Sequence, residues 1–209
     1  MKKASLTLLL CIVICLAFGQ KQLPSKWPLN PAEAKLAEKY HECLHRNKYS
    51  PPQRLKIYPF NNSAEVRLVS FNSFDGPKYR TEKTDPDTVK HYPFYDHKID
   101  TTQFIETKKL TRNQINKLTD ILYNVGYRGT NYIIDQASCY EPRNAILFID
   151  AKGSIYAYIE ICFECQRYHL SSRKIKVGDF CEQKYQMIKN FFGSAGIEFG
   201  ITKTEHGKS

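Results

Sequence analysis

Two apolar runs, Ala145 to Asp150 and Ser154 to Phe163, flank Ala151-Lys152-Gly153, and this stretch restricts the fold more than any other part of the chain. Both runs are rich in branched and aromatic residues. The tripeptide suits a type I turn followed by a glycine, a connection that closes antiparallel hairpins. Pairing Asp150 with Ser154 and following the ladder outward places Cys139 opposite Cys165, with a break at Pro142. Alternation predicts one face of Ala145, Leu147, Ile149, Ile155, Ala157, Ile159 and Ile161, packed on helices, and another of Tyr156, Tyr158, Glu160 and Cys162. The expected fold class is therefore α+β: an antiparallel sheet with helices packed mainly on one face.

The helices come from either side of this hairpin. Asn30-Pro31 supplies a cap and a first-turn proline for a helix that puts Leu36, Ala37, Tyr40, Cys43 and Leu44 on one face and ends before Ser50-Pro51-Pro52. Arg54 to Phe60 and Glu65 to Phe71 read as strands joined by a turn at Asn61-Asn62-Ser63. A strand near Gln103 to Thr107 leads into a helix with a capping box at Thr111 and Gln114, a stripe of Ile115, Leu118, Leu122 and Val125, and Gly126 at its end. A last helix opens at Asp179 as N-cap and turns Cys181, Tyr185, Ile188 and Phe192 toward the sheet.

Between Asn72 and Asp100 aliphatic residues almost vanish while Gly76, Pro77, Pro86 and Pro93 appear, which predicts a long surface loop over 72–100. Its Tyr79, Tyr92, Phe94, Tyr95 and His97 either form an aromatic platform for a peptide or a sugar, or pin the segment to the body by their rings.

The beginning of the chain points to export. Lys2 and Lys3 precede an almost unbroken apolar run from Leu6 to Phe18, and Ala17-Phe18-Gly19 offers small residues for cleavage before Gln20, so residues 1–19 read as a signal peptide. The run is shorter than the roughly 20 residues of a membrane-spanning helix, and no second such stretch follows. The expected organisation is a signal peptide, a single α+β domain over 20–209 and a flexible tail at 203–209, in a periplasmic or secreted protein. Cleavage removes two lysines and no acid, lowering the formal charge of +10 to about +8. Lys108, Lys109, Arg112, Lys117, Arg173, Lys174 and Lys176 are dispersed rather than blocked, so nucleic acid is not an expected partner.

Export also weights the cysteines. Cys139, Cys162, Cys165 and Cys181 are expected to converge, and in an oxidising compartment structural disulfides are the first reading. Of the three connectivities, the register favours Cys139–Cys165 with Cys162–Cys181. A zinc or copper site on the same four residues is an alternative, although the paired C-x-x-C signature is missing. A redox dithiol at Cys162-Phe163-Glu164-Cys165 is another, although such pairs normally open a helix and Gln166 to Lys176 shows no helical stripe. Cys43 is left over as an inert thiol on the first helix. His41-Glu42-Cys43-Leu44-His45 matches H-E-x-x-H, in which two histidines one helical turn apart bind zinc and the glutamate acts as base. Here no sheet precedes the helix, and nothing selects a third ligand among Glu65, His91 and His97.

Cys139-Tyr140-Glu141-Pro142-Arg143, followed by Ile159-Glu160-Ile161-Cys162-Phe163-Glu164-Cys165 and Phe180-Cys181-Glu182-Gln183-Lys184, resembles uncharacterised exported bacterial proteins of the Bacteroidetes type. These share a C-Y-x-P-R … I-E-x-C-x-x-C pattern, and the resemblance covers roughly the C-terminal third. It implies a periplasmic or secreted location and no mechanism. The chain has no glycine-rich phosphate loop and no G-x-S-x-G elbow, and no cofactor is expected. The functional expectation is an exported binding or structural module of the cell envelope with a protein, peptide or glycan ligand. The alternatives are a thiol-redox or metal-binding protein using Cys139, Cys162, Cys165 and Cys181, with Arg143 and Glu160 as polar neighbours, and a zinc hydrolase using His41 and His45.

Overall fold

A computed structural model describes residues 31–73, 92–95, 98–129 and 139–203. The chain divides into two units, Met1–Glu38 and Lys39–Ser209, with the boundary inside helix α1 (Pro31–His41). The expected signal peptide, Tyr79, His91, His97 and residues 204–209 lie outside the described residues. Lys203, the first residue of the expected tail, accepts a backbone hydrogen bond from Gly200 at 2.7 Å and pairs with Glu198.

The second unit is α+β, with β1 (Cys43–His45), α2 (Pro51–Leu55), β2 (Glu65–Phe71), β3 (Phe94–Tyr95), β4 (Lys98–Ile99), β5 (Phe104–Lys109), α3 (Arg112–Asn124), β6 (Val125–Tyr127), β7 (Asn144–Ile149), β8 (Ile155–Cys162), β9 (Arg167–Leu170) and α4 (Glu182–Ser194). Its centre is a five-stranded antiparallel sheet in the order β5-β2-β7-β8-β9. One face carries Val66, Leu68, Ile146, Phe148, Ala157, Ile159 and Ile161 and packs on Leu118, Ile121 and Leu122 of α3 and Ile188, Phe191 and Phe192 of α4. Phe148, Phe191 and Phe192 are at most 2 % exposed, and burial of each contributes about 2–3 kcal/mol. The opposite face carries Val69, Phe71, Ala145 and Leu147 and is covered by Phe94, with Tyr92, Ile99 and Phe104 beside it.

The best-marked local signals fold as their residues dictate. Asp150 closes the β7–β8 turn: its amide donates to the Ser154 carbonyl at 3.0 Å and its carboxylate accepts from the Lys152 and Ser154 amides at 2.9 Å. Gly153 takes φ +84, a conformation that L side chains rarely adopt. In α3, Thr111 Oγ1 accepts from the Gln114 amide at 3.3 Å and Gln114 Oε1 from the Thr111 amide at 2.9 Å, satisfying two orphan donors reciprocally. Thr111→Ala is accordingly expected to cost about 1 kcal/mol, read as a lower urea midpoint at an unchanged slope.

Four sequence expectations are corrected. Arg54 to Phe60 is no strand and forms no hairpin with β2: Ser50 and Gln53 cap a helix that begins on Pro51-Pro52, and Phe60–Asn62 is a 3-10 turn. Arg54 is buried there, donating to Thr119 at 3.2 Å and to Asn116 Oδ1 at 2.6 Å, so its place is decided by a polar pocket on α3. The first helix ends at His41, so Cys43 and Leu44 lie in β1, where they pair with Tyr127 and Gly126 of β6. The last helix takes Cys181 rather than Asp179 as its N-cap.

The fourth correction concerns the hairpin faces. Ile149 pairs with Ile155 but Phe148 pairs with Ala157, so Tyr156 is an extra residue on β8. Such a bulge shifts the remaining ladder by one position, and a one-residue shift exchanges faces. Ala145 and Leu147 therefore share the face of Tyr158 and Glu160, while Ile146 and Phe148 face the helices. The Tyr156 hydroxyl donates to the Pro59 carbonyl, which holds the extra residue in place.

Candidate functional site

Three of the four cysteines expected to converge are divided between two staples. Cys139 and Cys165 are bonded, with Cα atoms 5.8 Å apart, which is the expected pair although the ladder itself ends at Asn144 and Ile161. Cys181 is bonded to Cys43, not to Cys162, with Cα atoms 5.6 Å apart. The cause is the early end of α1. Cys43 belongs to the β1–β6 ribbon, and its amide donates to Gln183 Oε1 at 3.3 Å, at the start of α4. Among the described residues the leftover cysteine is therefore Cys162, a free and buried thiol at the end of β8.

The H-E-x-x-H residues are likewise separated from their expected roles. With α1 ending at His41 and His45 on β1, the two histidines are not one turn apart on a helix. His45 Nε2 lies 2.7 Å from Asp120 Oδ2, and Glu42 pairs with Arg128 at 3.1 Å. Burial raises the Asp120 carboxyl, but hydrogen bonds from His45 and Asn124 and the charges of His45 and Arg54 outweigh it and hold the group below the usual range. No group of three or more His, Cys, Asp or Glu placed to hold a metal ion occurs among the described residues.

The densest polar arrangement lies on the sheet face opposite the helices. Glu160, 3 % exposed, sits on β8 opposite His169 of β9. Its carboxylate accepts from the Tyr92 hydroxyl, lies 2.9 Å from His169 Nδ1, and is reached by the Tyr140 hydroxyl at 3.5 Å. Burial, reinforced by the Glu160 charge, pushes both phenols above their ordinary range. The Arg167 guanidinium lies 5.5 Å from the centre of the Tyr140 ring and donates to the Cys139 carbonyl at 3.2 Å. Arg143 pairs with Glu164 at 2.8 Å. Glu160 thus gathers two phenols and an imidazole, while Arg167 reaches the backbone of Cys139 and Arg143 the side chain of Glu164.

Of the aromatic residues expected to form a binding platform, Tyr92 and Phe94 are turned to this face. Phe94 is 4 % exposed and lies 4.4 Å from the Tyr158 ring and 5.2 Å from that of Phe71. Tyr95 is in β3, paired with Lys98. Glu160 is the acceptor that anchors Tyr92. Glu160→Leu, which keeps the bulk and removes the acceptor, is expected to cost about 2 kcal/mol, while Glu160→Gln costs less because an acceptor oxygen remains. Urea denaturation of both variants checks the order.

One buried charge was not singled out from the sequence. Lys184 is fully buried, and its ammonium donates to the carbonyls of Leu122, Val125, Val177 and Asp179 at 2.7–3.0 Å. Its position on α4, three residues after Cys181, four before Ile188 and seven before Phe191, falls on the buried stripe of the helix, and the chain wrapped around it, with Gly178 at φ +64, supplies its acceptors.

No family model, no curated protein and no solved structure matches the chain.

Proposed function

We propose that the protein is an exported binding or structural module of the cell envelope, periplasmic or secreted, whose cysteines serve chiefly to staple the fold. The observation that carries this reading is that, of the five cysteines among the described residues, four are closed into two disulfides while Cys162 is buried. Such bonds persist in oxidising compartments and are rare elsewhere. The chemistry-bearing side chains support the same view. Glu160 is engaged by Tyr92, Tyr140 and His169, His45 by Asp120, and Glu42 by Arg128, so these polar groups spend their capacity on one another. No helix among the described residues is long and apolar enough to cross a membrane. The ligand class that fits an envelope module of this kind is a protein, a peptide or a glycan.

The test is an intact mass of the exported mature protein after alkylation in denaturant, before and after reduction, with metal analysis of the same sample. The expected result is one alkylated thiol, four more after reduction, no stoichiometric metal, and a mass that starts at Gln20. Several free thiols together with stoichiometric metal would overturn the reading and make the cysteines the active feature.

A further inference from the structure

Three sulfurs meet where β8 ends. Cys162 is the last residue of β8, Cys165 lies in the turn over Phe163–Gln166, and Cys139 is bonded to Cys165 across the chain that enters β7. The Cys165 amide donates to the Cys162 sulfur at 3.3 Å, so the free thiol is seated against the backbone of a residue already in a disulfide. Cys162 pairs with Arg167, and Cys165 lies in the loop that this pair closes, with its own amide on the Cys162 sulfur. A bond between the two sulfurs needs Cα atoms within about 7 Å. The stapled fold does not use this thiol, yet it stands beside a sulfur-bearing residue of one of the staples.

We propose that Cys162 is an internal exchange partner of the Cys139–Cys165 disulfide, able to take Cys165 for itself and release Cys139. The Cys162 thiol gives its proton to solvent, and the thiolate attacks Cys165 Sγ. The Cys162–Cys165 bond forms as the Cys139–Cys165 bond breaks, and Cys139 leaves with the electron pair and takes up a proton. One disulfide and one thiol are present before and after, so the step consumes neither oxidant nor reductant. Its structural consequence is specific. A bond with a sequence separation of 26, which ties the entry of β7 to the β8–β9 turn, is replaced by one confined to that turn. Cys139, half-buried rather than fully enclosed, then carries the thiol.

The surroundings set the resting state. Burial pushes the Cys162 thiol above its ordinary range, and the charge of Glu164 adds to this, while donors from the Glu141 and Cys165 backbone and the charge of Arg143 pull the other way without reversing it. The thiol is therefore protonated at neutral pH, and the Cys139–Cys165 isomer persists. Exchange through the thiolate speeds up about tenfold per pH unit until the thiol titrates.

The inference rests on the stapled reading above, but its failure is distinguishable. Exchange conserves the number of thiols, so counting them tests the staples and only their position tests the exchange. The mature protein is held at about pH 6 and about pH 9, quenched in acid, labelled with N-ethylmaleimide in denaturant and mapped by pepsin digestion and mass spectrometry. The expected result is label on Cys162 alone after the acidic incubation, and label shared between Cys162 and Cys139, with a linked Cys162–Cys165 peptide, after the alkaline one. Label confined to Cys162 at both would overturn the proposal. Cys139→Ser gives an independent reading: under oxidising folding it is expected to form the Cys162–Cys165 bond, and recovery of both as free thiols would equally overturn it.

Discussion

Replacing Cys43 and Cys181 together by alanine is expected to lower the unfolding free energy by about 4 kcal/mol. The bond has a sequence separation of 138, for which the loss of chain entropy in the unfolded state amounts to about 5 kcal/mol, with part of it recovered by residual structure. Cys181 is fully buried at the N-cap of α4, so the staple holds the start of that helix to the β1–β6 ribbon. In a chain of this length 1 kcal/mol moves the melting temperature by about 2–4 °C, so calorimetry should record a drop on the order of 10 °C. The pairing suggested by the hairpin register has a different signature. If Cys181 were bonded to Cys162, Cys162→Ala would be the costly change and Cys43→Ala would leave the melting temperature nearly unmoved.

Lys184→Met is expected to cost about 3 kcal/mol, because methionine fills the space and leaves buried carbonyls without donors. The carbonyls of Leu122 and Val125 stand at the C-terminal end of α3, where the last carbonyls of a helix lack partners and its dipole favours a cation. Those of Val177 and Asp179 belong to the segment that leads into α4. One ammonium thus joins the end of one helix to the approach of the next. The Phe180 ring lies 4.7 Å from it and closes the site.

The same lysine makes stability depend on pH with a definite sign. Burial brings its pKa down to about 7, against the opposing charge of Asp179. In the unfolded chain the value is about 10.4. Between these limits the unfolded state binds more protons than the folded one, so this lysine makes stability rise as pH increases from about 7 to about 10. Below about 7 both states are protonated and its contribution is constant. Urea midpoints measured at intervals over that window should rise for the native protein relative to Lys184→Met. A parallel pair of curves would show that the ammonium is not being desolvated.

Features written within a dozen residues were readable in advance. The β7–β8 turn needs only Asp150 and Gly153, and α3 needs only the Thr111–Gln114 box and its apolar stripe, because the interactions that specify them are local. The Cys139–Cys165 bond was readable because the hairpin brings its two outer ends together, and the one-residue shift of the bulge is small enough for the flanking chain to absorb. The alternating faces failed at Tyr156, since a bulge inserts one residue with no compositional mark and everything beyond it exchanges sides. Arg54 to Phe60 failed because its branched and aromatic residues satisfy a strand pattern equally well, and the buried Arg54 pocket on α3 settles the matter from 62–65 residues away. Glu160 carried a faint signal, an acid within an otherwise apolar strand.

The order of local elements, the α+β class and the presence of disulfides are consequences of periodicity, turn chemistry and cysteine content, which the chain displays along its length. Which cysteine is left free, which lysine is internal and which carboxylate gathers Tyr92, Tyr140 and His169 are consequences of segments meeting across 138, 62 and 68 residues. Those meetings depend on where α1 stops and how β8 bulges. A shift of one or two residues in either leaves the composition and the apolar pattern unchanged but gives every sulfur and every buried charge a different neighbour.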